Sequence, residues 1–410
     1  MATESSSTQP NELPALPMNR RVLIVNAHGA DVAFGGAERH VADLGTGLND
    51  RGWEVQVLAA FPQASPADLA TTTLRQHDWR TSQVRRVRNR VDDFVSQPTS
   101  AIREAVASAA PDVVHTHNLF GLTTAVWEVC RRLGVPVVHT AHDYYLLCPR
   151  VTLLQRNGEP CCGTPRSCAL RQRRLGRWAP AVDTLIAVSK AVAERVAPTI
   201  PDAHVEVIHN PVRPFAERPL AAPGGALRTL GYMGALEREK GIPELIDAAK
   251  ELRLVGIHVR VAGNGRLREL VEAASAVGDG IEYAGYLSGA DRVAFVESCD
   301  AGIVPSRWEE PYPLVAIEWL VAGRPALLAA RGGLKEIAAS RPGARLIEPT
   351  KEGILAAVRI LAAEVEWASA RDAVRANASE DGAPTWLDEH ERVYARVVDA
   401  TPTSGPLGED

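Results

Sequence analysis

RVLIVNAHGADVAFGGAERHVADLGTGLNDRGWEVQVLAA, residues 21–60, is the stretch that decides the fold. Residues 21–28 form a short apolar run rich in valine and isoleucine, which reads as a buried strand. A glycine-bearing turn follows, and then Val41, Leu44 and Leu48 fall at helical spacing. Arg51-Gly52 supplies a glycine that suits a helix stop, after which Trp53 to Ala60 alternates as a strand does. Strand, helix and strand in that order make a βαβ unit. The alternation continues through PDVVHTH (111–117), a helical stretch to Arg132, VPVVHTAH (135–142) and DTLIAVS (183–189). Strands that keep alternating with helices predict a parallel, doubly wound sheet.

The pattern restarts after RPFAERPLAAPGG (213–225), whose prolines and glycines suit an interdomain linker. LRTLGYMG (227–234), HVRVAGNG (258–265), GIEYAG (280–285), CDAGIVPS (299–306) and RPALLAA (324–330) then read as the strands of a second doubly wound sheet. Ligands bind in open α/β folds at the carboxyl ends of the strands, so two such domains should face each other across a binding cleft. TWLDEHERVYARVVD (385–399) reads as a closing amphipathic helix with Trp386, Val393 and Val397 on one face, packing back on the N-terminal domain. The expected division is a flexible tail (1–19), an N-terminal domain (20–212), the linker (213–225), a C-terminal domain (226–384), the closing helix (385–400) and a second tail (401–410).

A length of 410 residues favours two domains, and 46% hydrophobic with 23% charged residues is the balance of a globular chain. A formal net charge of −5 offers no global positive field, which argues against a general nucleic-acid binder. The first nineteen residues lack the apolar core of a signal peptide, and no later run reaches the ~18 apolar residues of a membrane span. The expected location is therefore the cytoplasm, with peripheral membrane contact at most. RQRRLGRW (171–178) is the basic stretch that would face an anionic acceptor or a membrane surface; otherwise it is a solvated helix face.

The chemistry concentrates in PSRWEEPYPLVAIEWLVAGRP (305–325). Pro311 is placed for the first turn of a helix and Gly323 for its stop, so Glu318 lies mid-helix among apolar neighbours. A carboxylate there needs a partner, either a ligand hydroxyl such as a ribose diol or an arginine of the protein. Glu310 stands at the expected helix mouth, either capping it or facing a ligand, and eight residues of helical rise would separate it from Glu318 by about 12 Å.

Glu310-x7-Glu318, with Pro305-Ser306 before it and AGRPALLAARGGLKEI (322–337) after it, resembles the donor-site signature of the family 4 glycosyltransferases. The resemblance spans roughly residues 20 to 400 and implies the GT-B fold, two Rossmann-like domains around a cleft. It implies that Glu310 contacts the transferred sugar and Glu318 the ribose of a nucleotide diphosphate sugar. Gly35 and Gly36 in GGAER resemble the family's glycine loop, and His142 its sugar-facing histidine, although alone each would read as a turn and as a core-edge histidine. GYMGALEREKGIPELIDAA (231–249) resembles the segment that binds the diphosphate: Lys240 matches the family lysine, but Ala235 stands where an arginine is expected, leaving Arg238 as a substitute or a surface residue. Pro313 replaces a common glycine, so the amides of Leu314 and Val315 would serve the phosphates. Gly263 in VAGNG (261–265) and Tyr286 and Leu287 in AGYLS (284–288) match loops that hold the base; Asn210 is a further candidate.

No Asp-x-Asp triplet occurs, so no metal and no cofactor is expected, and positive charge with helix amides would stabilise the diphosphate. The implied enzyme is a retaining, metal-independent hexosyltransferase, with UDP favoured over GDP and an unidentified glycan, lipid or small-molecule acceptor, suited to bacterial envelope-glycan or secondary-metabolite synthesis. A nucleotide-sugar 2-epimerase and a non-catalytic nucleotide-sugar-binding subunit share the same features. Cys148, Cys161, Cys162 and Cys168 crowd one segment; they read as free thiols of an ordered loop or, less in keeping with their spacing, as a structural metal site. Cys130 and Cys299 read as core residues.

Overall fold

The computed structural model describes residues 20–30, 35–62, 68–74, 99–155, 157–161, 163–212, 220, 223–376 and 383–400. The two expected tails and most of the expected linker lie outside the described residues.

Two wholly parallel sheets carry the chain. The first contains β1 (Arg21–Asn26), β2 (Glu54–Ala59), β3 (Ala70–Thr73), β4 (Val113–Thr116), β5 (Val137–Ala141), β6 (Thr184–Ala187) and β7 (His204–Val207). Their spatial order is β3-β2-β1-β4-β5-β6-β7. The second contains β8 (Thr229–Met233), β9 (His258–Ala262), β10 (Ile281–Gly285), β11 (Ala301–Val304), β12 (Ala326–Ala329) and β13 (Ala344–Ile347), in the order β10-β9-β8-β11-β12-β13. Each sheet therefore reverses its winding once, between β1 and β4 in the first and between β8 and β11 in the second. Those two reversals are the crevices where open α/β sheets bind ligands.

The central strands are covered on both faces, which is why their sequences are continuous apolar runs: β4, β5, β6, β11 and β12 are buried throughout. Edge strands β3 and β7 are mostly exposed and carry no apolar run, so the sequence did not announce them, nor did it announce β13. Helix α1 (Gly36–Asp50) buries Val41, Leu44 and Leu48 against the first sheet as their spacing predicts. Cys130 and Cys299 are buried, and desolvation pushes their thiols up to about 12 and about 11.

Helix α2 (Leu314–Val321) starts later than the sequence suggests, with Pro313 as its N-cap. A proline disfavours helical backbone in the residue before it, so Tyr312 cannot begin the helix. Glu310 consequently sits in the preceding loop, and helical rise does not span the whole interval to Glu318. Gly323, at φ +73°, follows the helix end as expected.

The closing helix α3 (Ala383–Ala400) returns to the N-terminal domain. Trp386, Val393, Tyr394 and Val397 pack with Val22, Val41, Leu44, Leu48 and Val113 in one buried cluster. Polar contacts fix this docking, among them the Tyr394 hydroxyl, 2.6 Å from His115 Nδ1, and the Trp53 indole, which donates to Glu391 at 2.9 Å. The chain thus crosses between domains twice.

Candidate active site

At the switch point of the second sheet, the loops after β8 and β11 bring Lys240 and Glu310 together. Lys240 lies in a single 3-10 turn, Arg238–Lys240, and its ammonium is 2.7 Å from Glu310 Oε1. Ser306 donates its hydroxyl to the same oxygen at 2.5 Å. Glu310 is only 3% exposed, so this pairing supplies the compensation that a buried carboxylate requires. The Lys240 ammonium also sits 5.0 Å from the centre of the Trp308 ring.

Glu318 extends from α2 and forms an ion pair with Arg292, so one arginine partner is present within the protein. It also lines a pocket between the domains, together with Leu314 of the same helix, Gly36, Arg39, His40 and Asp43 of α1, and Asn210 and Val212 beyond β7. Asn210 is fixed there by its carbonyl oxygen, which accepts from His40 Nδ1 at 2.8 Å. Gly35 is the N-cap of α1 and Gly36 its first residue; a side chain at Gly36 would meet open space. Val315, half-buried, completes the start of α2, where amides lack intrahelical acceptors.

A second pocket opens at the ends of β4 and β5, lined by His117, Asn118, Thr140, His142, Asp143 and Tyr145. His142 Nε2 lies 2.9 Å from His117 Nδ1, and the His40 ring packs on His142 with centroids 4.6 Å apart. His40 therefore joins the two pockets. Burial, followed by repulsion from His139 and His390, lowers the His142 pKa to about 3, so the ring is neutral near pH 7. Asp143 is raised to about 6, mainly by burial, against the opposing hydrogen bond from the Tyr145 amide.

The other residues named from the sequence are dispersed. Gly263 packs the ends of β8 and β9: a Cβ there would stand 1.8 Å from the Gly234 carbonyl oxygen. Tyr286 is 76% exposed, and Leu287 packs partly into the second domain. Neither they nor Gly263 line the two pockets. Arg238 is exposed beside Gly158, and Ala235 uses its carbonyl to accept the Tyr232 hydroxyl at 2.7 Å. Gly158 belongs to the cysteine-bearing segment, which reaches the second domain through Glu159–Arg307 (2.8 Å), while Arg307 also holds Glu244 at 2.9 Å.

The cysteine metal site finds no support. Cys148 is buried and Cys161 exposed, Cys162 lies outside the described residues, and among the described residues the one three-ligand cluster is made of histidines. The basic stretch is also divided in role. Arg171 is buried, donates to the Tyr145 carbonyl at 2.6 Å and stacks over that ring, whereas Arg173, Arg174 and Arg177 are exposed. No helix among the described residues is long and apolar enough to cross a membrane.

Arg39, His40, Asp43, His117 and Arg292 were missed in the sequence. Arg39 and His40 directly follow the glycine pair, which was the available signal; Arg292 carried none, because its partner lies 26 residues away on another helix.

Two facing Rossmann-like domains with a cleft at both switch points define a GT-B protein, and comparison with solved structures agrees. Sucrose-phosphate synthase from Thermosynechococcus elongatus superposes with a TM-score of 0.71 at 18% identity, covering 93% of this chain and 100% of that one. Anabaena HepE in complex with UDP gives 0.68 at 15% identity, covering 92% and 100%. Residues 34–214 match the model described as Glycosyltransferase Family 4 and residues 222–380 that described as Glycosyl transferases group 1, so the chain belongs to the family 4 glycosyltransferases. Among curated relatives, a 42.6 kDa uncharacterized protein in the cps region of Klebsiella pneumoniae is 24% identical, over 81% of this chain and 91% of its own length. The glycogen synthase of Mycobacterium tuberculosis is 26% identical, over 83% and 85%.

Proposed function

We propose that this glycosyltransferase transfers a hexose from a nucleotide diphosphate sugar, UDP in preference to GDP, to a hydroxyl of an unidentified acceptor, without a metal and with retention of configuration. The observation that carries the reading is the pocket in which Gly36 and Asn210 of the first domain meet Leu314 and Glu318 of the second; the Lys240–Glu310 pair stands in the loops after β8 and β11 of that second domain. The partition into an acceptor domain (20–212) and a donor domain (226–384), with the linker and closing helix between and after them, belongs to the same proposal. UDP is favoured because HepE, whose fold this chain shares, is described in complex with UDP.

In this reading Glu318 accepts from the ribose hydroxyls, exchanging part of its contact with Arg292. Lys240 and the amides of Leu314 and Val315 bind the diphosphate, and Arg39 supplies the positive charge that Ala235 lacks. Glu310, oriented by Lys240 and Ser306, accepts from hydroxyls of the transferred sugar. The acceptor oxygen attacks the anomeric carbon on the face that the leaving phosphate vacates. The bond from that carbon to the phosphate oxygen breaks, and the departing phosphate takes the acceptor proton. His142, neutral near pH 7, holds a sugar hydroxyl by a hydrogen bond and transfers no proton. Its neighbour Asp143, on the acceptor side, orients the incoming hydroxyl. The setting is cytoplasmic synthesis of a bacterial glycan or secondary metabolite, with the exposed arginines of residues 171–178 meeting an anionic acceptor or membrane.

Calorimetric titration with UDP-glucose and GDP-mannose in EDTA tests the donor site. The wild-type protein should bind one of the two, and Glu318→Ala should weaken that binding by about 10- to 100-fold, the value of hydrogen bonds to a charged group. Unchanged affinity in Glu318→Ala, alongside a lowered melting temperature, would make the Arg292 pair purely structural and remove the ribose role.

A further inference from the structure

His40, His117 and His142 reach one point from three elements: the first turns of α1, the end of β4 and the end of β5. A ring nitrogen of each lies within 4.8 Å of a ring nitrogen of each of the others. His40 is 4% and His117 2% exposed, and Nε2 of both rings is buried with no hydrogen-bond partner. Leaving the Nε2 of His40 unpartnered beside the other two rings is costly unless a ligand uses it.

The tautomer of His40 follows from its partner. Asn210 Oδ1 only accepts, so His40 Nδ1 carries the proton, and Nε2 presents a bare lone pair. An outer hydrogen bond that fixes the tautomer of an inner nitrogen is the arrangement found behind metal-bound histidines. Zinc-to-nitrogen bonds of about 2.0–2.1 Å in a tetrahedral site put ligand nitrogens roughly 3.3 Å apart. The 2.9 Å spacing of His117 Nδ1 and His142 Nε2 is already near that, and the remaining separation closes with small rotations of the rings. His40 borders one pocket, and His117 and His142 the other, which gives an ion a path from the cleft and leaves a coordination position open toward it.

We propose that His40, His117 and His142 form a binding site for a divalent transition-metal ion of the zinc class, with Asn210 as its outer support. A bound ion occupies His142 and so removes it from the sugar; this consequence rests on the role proposed above, whereas the binding itself does not. The site is separate in purpose from the diphosphate and is inhibitory.

The test is equilibrium dialysis of the intact protein against zinc chloride, with metal quantified per chain, and the visible spectrum after cobalt(II) is added. Wild type should hold one equivalent, and cobalt should give the intense bands of tetrahedral nitrogen coordination without thiolate charge transfer. His40→Gln and His117→Gln should each lose the equivalent, Asn210→Ala should weaken it about tenfold, and Cys161→Ser/Cys168→Ser should keep it. Zinc retained in His40→Gln, zinc lost in the cysteine variant, or a thiolate-type cobalt spectrum would overturn the proposal. If the histidine variants do not fold, the wild-type cobalt spectrum still decides between nitrogen and sulfur. Donor titration with and without zinc then reads the second part: zinc should weaken donor binding, and binding of zinc without any loss of donor affinity would overturn the inhibitory role.

Discussion

Gly332→Ala should weaken nucleotide-sugar binding at least tenfold and destabilise the second domain by roughly 3 kcal/mol or more. Gly332 has φ +49°, and a Cβ built on it stands 2.2 Å from the Glu310 carbonyl oxygen and 2.7 Å from the Glu310 amide nitrogen. Its own amide donates to Glu309 Oε2 at 2.6 Å, and the next amide, Gly333, donates to the Glu310 carbonyl at 2.7 Å. The loop after β12 is thus the backbone rest that sets the height of Glu310 between Lys240 and Ser306. A methyl group there must push residues 309–310 away, and a displacement of about 1 Å at a positioned group costs on the order of 100-fold in rate. Gly134→Ala is the control. That glycine has φ +69° with nothing within 4 Å of its Cβ position, so it should cost about 1 kcal/mol and leave donor binding unchanged. Equal donor affinity in Gly332→Ala and wild type would show that Glu310 is held by its side-chain partners alone.

This glycine illustrates where sequence reading stops. The pair Gly332-Gly333 was visible as a flank of the donor signature, but a glycine's reason lies in the backbone it touches, here 22 residues earlier in the chain. Buried parallel strands were legible because both faces need apolar side chains, and the closing helix because Trp386, Val393 and Val397 share a face. Edge strands β3 and β7 were not, since one exposed side removes the constraint on composition. The start of α2 was misplaced because two prolines compete for the first turn, and only Pro313, which restricts Tyr312, decides between them. Glu318 was correctly read as a carboxylate in need of a partner; that the protein supplies Arg292 is a through-space fact with no local signal. His142 stood out through the family resemblance, but His115, His117 and His139 read only as strand residues, and a period of two cannot reveal that α1 and α3 bring His40 and His390 to this region.

Stability should fall steeply as the pH drops below about 6.5. His40, His115, His117, His142 and His390 pack against one another with Trp386 and Tyr394, His139 packs on Trp127, and burial is the first cause lowering the pKa of each of the six. His139 and His390 are pushed to about 4. A group whose folded pKa is depressed takes up its proton in the unfolded chain first, so the stability it contributes is complete above the unfolded value of 6.5 and is lost as the pH falls toward the folded one. For each such histidine the loss is about 1.4 kcal/mol per pH unit in that window, so His139 and His390 alone remove roughly 3 kcal/mol between pH 6 and 5. Asp143 acts oppositely: raised to about 6, it binds a proton in the folded protein before the unfolded chain does and offsets about one histidine between pH 6 and 3.8. Glu38 and Arg171 face that carboxyl, the first raising and the second lowering its pKa. The excess of histidines wins, and their protonation should release α3, whose His390 and Tyr394 bridge to the sheet. Thermal midpoints measured from pH 8 to 5 should be level above pH 7 and drop by several degrees per unit below 6.5, with tryptophan fluorescence of Trp386 reporting the same transition. His390→Gln, whose amide can still donate to the Trp386 carbonyl, should reduce the slope by about one proton. A midpoint that stays level down to pH 5 would mean that water or a ligand already satisfies these rings, and the buried, neutral cluster would have to be redrawn.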